Sequence, residues 1–420
     1  VSRPFAPSSV AALRHRNFRL LWIGQLISTT GSMMQNWAVL WHVSLIVPES
    51  QKGIALGIVG FVKFVPIVAF SLVGGVVADA VDRRRLMLLT NTLLTLIAGA
   101  LAVATLRGLH VVWPIYLLTA LSSAVGVFDA PARQSLVPSL VPARDFPNAI
   151  SLNTIMFQAA CVLGPGLSGL VIAAANVAWV YLLNAVSFLA VVTALVMMRD
   201  VPQRAASARS EISLKAAVEG LRYVFSTPMI RSTMLLDFFA TFFSSASALL
   251  PIFAQDILHV GPVGFGQLAA AASVGALITS AILVQHVDKI VNRGRVLLWA
   301  VFAYGAATVA FGLSTSFWLT LVCLAITGAA DTVSMVLRNI IRQLTTPDHL
   351  RGRMTSVNMI FFMGGPQLGE LEAGAVANVL GAPFSVVSGG IGCLVATAWI
   401  ALKTPPLRHY RREDSAVDAA

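Results

Sequence analysis

Twelve separate runs of this chain are apolar for long enough to cross a lipid bilayer, and that pattern leaves few folds open. A helix spans the hydrocarbon core with about 20 mostly apolar residues, because no water is present there to satisfy its backbone. The runs are roughly 18–47, 53–79, 86–106, 111–132, 149–174, 178–198, 229–257, 264–286, 295–313, 317–338, 354–379 and 383–402. Only 11% of the 420 residues are charged and 57% are hydrophobic, with a mean hydropathy of +0.81. Ordinary soluble domains carry about a quarter charged residues, so a water-soluble fold is excluded. The expected fold class is all-α integral membrane, with twelve transmembrane helices. The segment up to Arg19 is polar and basic and runs into a full-length apolar stretch, so no cleavable leader is expected.

The longest polar stretch, 199–228, divides the runs six and six. The expected domains are a bundle over 1–198, a cytoplasmic linker over 199–228, a second bundle over 229–403 and a tail over 404–420. Within the linker, Ile212 to Phe225 has apolar residues at helical spacing and reads as a helix lying on the membrane surface. All but three of the 29 Lys and Arg fall on the side bearing both termini; Lys52 and Arg107 sit in outer loops and Lys63 inside the second span. That asymmetry places both termini in the cytoplasm. The net charge of +11 is therefore a topology signal. No basic helix interleaved with aromatics points to nucleic acid. Cys161, Cys323 and Cys393 are isolated in apolar runs, with no disulfide framework or metal spacing.

The halves repeat. Shifting 133–174 by 205 residues gives ten identities in 42 positions, among them Arg133/Arg338, Pro142/Pro347, Asn153/Asn358, Gly164/Gly369 and Gly169/Gly374. Two similar six-span halves whose ends share one side are related by an axis along the membrane normal, the parallel-repeat transporter pattern, with a substrate path between them.

Between the second and third spans runs Gly74-Gly75-Val76-Val77-Ala78-Asp79-Ala80-Val81-Asp82-Arg83-Arg84-Arg85. Small residues permit close backbone approach, and the arginines cannot cross the bilayer cheaply. Taken alone, this is equally a membrane hairpin capped by positive charge. It resembles the signature loop of the major facilitator superfamily through Gly74 or Gly75, Asp79 and Arg83 to Arg85, with Asp82 where that family usually has glycine. Gly164-Pro165-x-x-x-Gly169 is similar to the helix-bend motif of its drug antiporters. Phe128-Asp129-Ala130-Pro131-Ala132-Arg133-Gln134 and the prolines Pro138 and Pro142 resemble the branch containing the enterobactin exporter and macrolide efflux proteins. The resemblance spans essentially the whole chain. It implies export of small amphipathic molecules, usually coupled to protons. One departure stands out: many proton antiporters have an arginine within the fourth span. Here Ile115 to Phe128 contains none, and the nearest is Arg133 at the span's cytoplasmic end.

Ionisable residues inside spans cost about 2.5–3.5 kcal/mol each at mid-membrane, so they point to function. Asp237 lies in span 7, Glu370 and Glu372 in span 11, and Lys63 in span 2. A carboxylate in a dry cavity can take up and release a proton near neutral pH, which antiport requires. The alternative is that Asp237 or a glutamate only pairs with Lys63 or another helix. Glu370 and Glu372 point about 200° apart on a helix, so at most one faces a central path squarely. Asn36 and Trp37 are candidates for lining that path, and Trp41 and His42 for anchoring at the outer surface. Phe238, Phe239, Phe242 and Phe243 flank Asp237 and suit a broad apolar ligand or plain packing. Asp79 with Arg83 and Asp129 with Arg133 can each pair at i,i+4. Together with Gly75, Asp82, Arg84, Asp331, Arg338 and Arg342 they form an expected cytoplasmic gate, the alternative being helix-end solvation.

Gly164-x-Gly166-x-x-Gly169 also fits a dinucleotide fingerprint, but it lies inside an apolar span with no preceding strand. No phosphate-binding Gly-x-x-x-x-Gly-Lys-(Ser/Thr) occurs, no metal or cofactor is expected, and no nucleophile set suggests an enzyme. The expectation is a plasma-membrane transporter working by alternating access. Its partners are a small-molecule substrate, protons and the bilayer, without nucleic acid, and a monomer suffices. Proton-coupled export leads; a facilitator or importer, and a non-transporting membrane sensor, stay open.

Overall fold

The computed structural model describes residues 10–199, 222 and 224–412, with side chains at all of these except 71–76, 78–80, 348–349, 351–353, 356, 359–360 and 363. The surface helix expected within 199–228 therefore lies outside the described residues, apart from its last few positions. Twelve long helices follow in order. They are α1 (Arg16–Ile46), α2 (Lys52–Ala80), α3 (Arg83–Leu106), α4 (Trp113–Leu140), α5 (Phe146–Ala174), α6 (Val177–Met197), α7 (Pro228–Phe243), α8 (Gly261–His286), α9 (Arg293–Leu313), α10 (Phe317–Thr345), α11 (Asp348–Leu380) and α12 (Ala382–Lys403). A short α13 (Pro405–His409) closes the described chain. Among the described residues, ten helical stretches are long and apolar enough to span a membrane; α1 and α11, which carry the polar Gln25, Gln35 and Asn36 and the acids Glu370 and Glu372, complete the twelve.

Helix ends follow local chemistry. Proline opens α4, α5, α7, α8 and α12 within the first two positions, where its missing N–H costs nothing. Asp82 caps α3 by accepting from the backbone N–H groups of Arg84 (2.9 Å) and Arg85 (3.1 Å), and Asn176 caps α6 through Ala178 N–H. Gly381, at φ +89, makes the tight joint between α11 and α12.

Four helices depart from expectation. The helix does not continue from Asp79 to Arg83: α2 ends at Ala80 and α3 starts at Arg83, so those residues are not i,i+4 neighbours on one helix. The fourth span runs on to Leu140, and the tenth to Thr345. The seventh breaks after Phe243 at the Ser244-Ser245 pair, continuing as a 3-10 turn (Ala246–Leu249), a short α turn and a π-helical turn (Phe253–Ile257). Ser245 Oγ donates across to the Pro366 carbonyl of α11 at 2.9 Å, and Pro251 has no N–H to give to the carbonyl that a regular helix would pair with it.

Compactness divides the chain into two units. The first contains the chain up to His42 and resumes at Val65 through α6; the second contains Val43–Phe64 and everything from α7 onward. A core in the first unit joins Phe18, Leu86, Met87, Leu136, Leu152 and Leu195. Its counterpart in the second joins Leu236, Leu297, Val301, Leu337, Ile341 and Ile400. Large apolar side chains also cover the outside, Leu96 at 63% and Trp318 at 72% exposure, as a lipid-facing surface requires.

Candidate functional site

In the second unit, Asp237 of α7 meets Arg338 of α10 at 2.8 Å, with both side chains only 2% exposed. Asp331, one to two turns earlier on α10 and half exposed, approaches the same guanidinium at 3.6 Å. Arg338 Nη1 donates to Ser334 Oγ at 2.8 Å. Neither carboxylate oxygen of Asp237 has an aligned hydrogen-bond donor among the described residues. Charge alone thus holds this joint. Arg342 extends it, donating to the Arg338 carbonyl (3.2 Å), to Asn339 Oδ1 (3.0 Å) and to Asn358 of α11. The phenylalanines beside Asp237 form a stack: Phe238 on Phe242 (centroids 5.5 Å apart), Phe239 on Phe243 (6.0 Å), and Phe238 edge-on to Phe361 (6.1 Å).

Glu370 lies higher in the same unit, half-buried on α11. Ser247, from the broken part of the seventh span, donates to Glu370 Oε1 at 3.2 Å. Lys63 of α2 and Glu370 attract each other without reaching salt-bridge distance. Glu372 has no hydrogen-bond or ion-pair partner among the described residues, so of the two glutamates Glu370 is the one with polar company. The two helices pass backbone to backbone here. A Cβ on Gly57 would sit 2.9 Å from the Glu370 carbonyl oxygen, and one on Gly374 would sit 2.8 Å from Gly57 Cα. A Cβ on Gly60 would press against Glu370 Oε2.

Toward the start of α2, Lys52 Nζ bridges both oxygens of Asp256 at 2.8 and 2.9 Å. Gln255 Nε2 donates to Ser44 Oγ at 2.7 Å beside it. Sequence reasoning missed this cluster. The signal was present in Lys52, one of two basic residues in the outer loops, and in the spacing Gly53-x-x-x-Gly57 that marks close helix contact.

The first unit holds a cavity of about 410 Å³ between α1, α3, α4, α5 and α6. Its polar lining includes Gln25, Asn91, Asp129, Arg133 and Asn153. Because α4 runs to Leu140, Arg133 lies about two turns inside that helix, not at its end as expected. Arg133 Nη1 donates to Gln25 Oε1 at 2.7 Å. Asp129 is not bound to Arg133; Asp129 Oδ1 accepts from Thr90 Oγ1 and Asn91 Nδ2 of α3, both at 2.8 Å. Nearby charge thus gives way to fixed neutral donors.

Within the signature loop, side chains are described at Val77 and from Val81 onward. Arg83 Nη1 donates to the Ser135 carbonyl at 3.0 Å. Arg84 donates to the carbonyls of Leu195 (2.8 Å) and Val196 (3.2 Å), capping the C-terminus of α6. The side chain of Asp79 lies outside those described. Gly164 lets α5 close on α1: its Cβ position is filled by Met33. Pro165 and Gly169 are buried in the same continuous helix. Asn36 is exposed and Trp37 half-buried, and neither lines the cavity. Trp41 and His42 are not surface anchors. They are 4% and 6% exposed, and His42 Nδ1 lies 3.1 Å from the Tyr181 hydroxyl.

A family model described as transmembrane secretion effector matches residues 7–419. The chain is 25% identical over 407 residues to the enterobactin exporter EntS of Escherichia coli (strain K12), covering 97% of this chain and 96% of that one. It is 28% identical over 361 residues to the multidrug efflux pump Tap of Mycolicibacterium fortuitum, covering 82% and 84%. Among solved structures, a POT family transporter in complex with 5-aminolevulinic acid superposes with a TM-score of 0.74 at 12% identity, covering 93% and 96%. A bacterial homologue of the iron transporter ferroportin does so at 0.70 and 16%, covering 92% and 98%. These two likenesses establish the fold.

Proposed function

For this chain, which belongs to the transmembrane secretion effector family of major facilitator transporters, we propose proton-coupled export of small amphipathic compounds of drug, macrolide or siderophore type. The chain is a multi-pass membrane transporter that handles a small-molecule substrate, and it is not an enzyme. Export is supported by the relatives, an exporter and an efflux pump.

The observation that carries proton coupling is Glu370. It is an acid inside a span, met by one hydroxyl at 3.2 Å and by an amine held beyond salt-bridge reach. An acid so placed is free to exchange a proton for a substrate group. Asp237 is different: its charge is committed to Arg338, which supports a structural and gating part for it. The broken seventh span supports the same reading, since interrupted helices supply binding groups at the midplane of such transporters.

Alternating access then works between the halves 1–198 and 229–403, joined by the 199–228 linker and ending in the 404–420 tail. Lys52–Asp256 and the glycine contact with α11 tie Val43–Phe64 to the rest of the second unit. On the inner side, Asp82 and the arginines Arg83 and Arg84 fix the α2–α3 turn against α4 and α6, with Gly75 and Asp79 completing that gate. Both termini face the cytoplasm, the chain sits in the plasma membrane, and one chain suffices for transport.

The test is transport in inside-out vesicles, driven by an imposed pH gradient, with a panel of lipophilic cations, macrolides and siderophores. Accumulation abolished by an ionophore and by Glu370→Gln supports the reading. Accumulation indifferent to the gradient contradicts proton coupling and leaves a facilitator.

A further inference from the structure

A second cavity of about 410 Å³ opens in the second unit, on the outside of α9 and α12, far in sequence from every acid discussed above. Its lining is sorted by polarity. Arg295, in the first turn of α9, and Arg408, on α13 just past the end of α12, stand at one end. Trp299 and Phe302 continue from Arg295 at i+4 and i+7, along one helix face, and Ala398 and Ala401 of α12 form the opposite, shallow wall. Trp299 and Phe302 brace each other edge-on, centroids 5.5 Å apart. They stay 68% and 45% exposed, so they face lipid and are not core.

Two arginines line this groove, no lining residue is acidic, and neither side chain has an ion-pair or hydrogen-bond partner among the described residues. Both arginines are exposed, so an anion has open access to them. The position, where spanning helices meet the membrane surface, selects an anion carrying an apolar tail. We propose that this groove binds one anionic phospholipid of the surrounding bilayer, its phosphate between Arg295 and Arg408 and an acyl chain along Trp299, Phe302, Ala398 and Ala401. The arginines supply charge and bidentate phosphate recognition. The aromatic ridge against two alanines supplies an apolar wall for the chain. The site does not depend on the transport reading, because it needs only a membrane-embedded chain.

The experiment is native mass spectrometry of the purified full chain, titrated with phosphatidylglycerol, cardiolipin or phosphatidylethanolamine, with inorganic phosphate as competitor. The wild type is expected to retain one anionic lipid in preference to phosphatidylethanolamine, without displacement by phosphate. Arg295→Gln with Arg408→Gln weakens that binding on the order of thirtyfold, about one kcal/mol for each arginine at a membrane surface. Ala398→Trp fills the groove with both charges kept and is expected to lose the lipid as well; it decides the matter if the double variant does not fold. Equal retention by wild type and Ala398→Trp, equal retention of zwitterionic lipid, or displacement by inorganic phosphate overturns the proposal.

Discussion

Arg133 and Arg338 are related by the internal repeat, yet the partners they find differ by a whole charge. In the first unit, α1 offers Gln25 at 2.7 Å. In the second, α7 offers Asp237 at 2.8 Å. The reach is the same, so the difference is chemical. Arg338 and Asp237 neutralise each other out of contact with solvent, while Arg133 keeps its positive charge on the rim of a cavity of about 410 Å³. Asp129, the other charge there, is held by the neutral donors Thr90 and Asn91. The repeat thus builds one scaffold twice and tunes it to a closed electrostatic joint in one unit and a polar cavity in the other.

The largest expected effect comes from opening the closed joint. Asp237→Ala leaves the buried guanidinium with only the half-exposed Asp331 at 3.6 Å as counter-charge, which costs up to about 3–5 kcal/mol and lowers the unfolding temperature in detergent. Asp237→Gln copies the first unit's amide and is expected to cost less than half as much; equal losses would break the comparison. Gly57→Leu comes next. Its side chain has no room between α2 and α11, where even a Cβ would lie 2.9 Å from the Glu370 carbonyl oxygen, and overpacking costs about 1–3 kcal/mol. That loss is read by thermal unfolding, with transport falling in parallel. Gln25→Ala is milder, about 1 kcal/mol, because water in the cavity can take over Arg133; a loss as large as that of Asp237→Ala would show the two units to be alike. Smallest is Lys52→Gln. Lys52 is 10% and Asp256 35% exposed, so solvent screens the pair on the acid's side and it contributes on the order of 1 kcal/mol. Its effect is expected in the rate of transport assayed across salt concentrations, with the unfolding temperature unchanged.

The twelve helices were legible because apolar runs of spanning length read directly from the residues. The ends of α4 and α10 were not, because Arg133 and Arg338 look like the residues that stop a span. Each carries its charge inside the helix only because another helix, more than a hundred positions away in sequence, brings an acceptor. The same blindness hid Lys52–Asp256, whose partners are 204 residues apart. Asp237 and Glu370 were visible as acids in apolar surroundings, but what separates them was not: one has an arginine in contact, the other a serine hydroxyl. The break in the seventh span had its signal in Ser244-Ser245 and Pro251, easily overlooked inside a run of apolar residues.

The central claim is that Glu370 carries the exchanged proton while Asp237 holds Arg338 in place. Proton release on substrate binding tests it most directly, measured with a pH indicator on the purified transporter in weakly buffered detergent solution, using a compound that the vesicle assay has shown to move. The account predicts release of about one proton by wild type, none by Glu370→Gln, and wild-type release by any folded Asp237→Asn protein. Undiminished release by Glu370→Gln, or release lost only in Asp237→Asn, would contradict it.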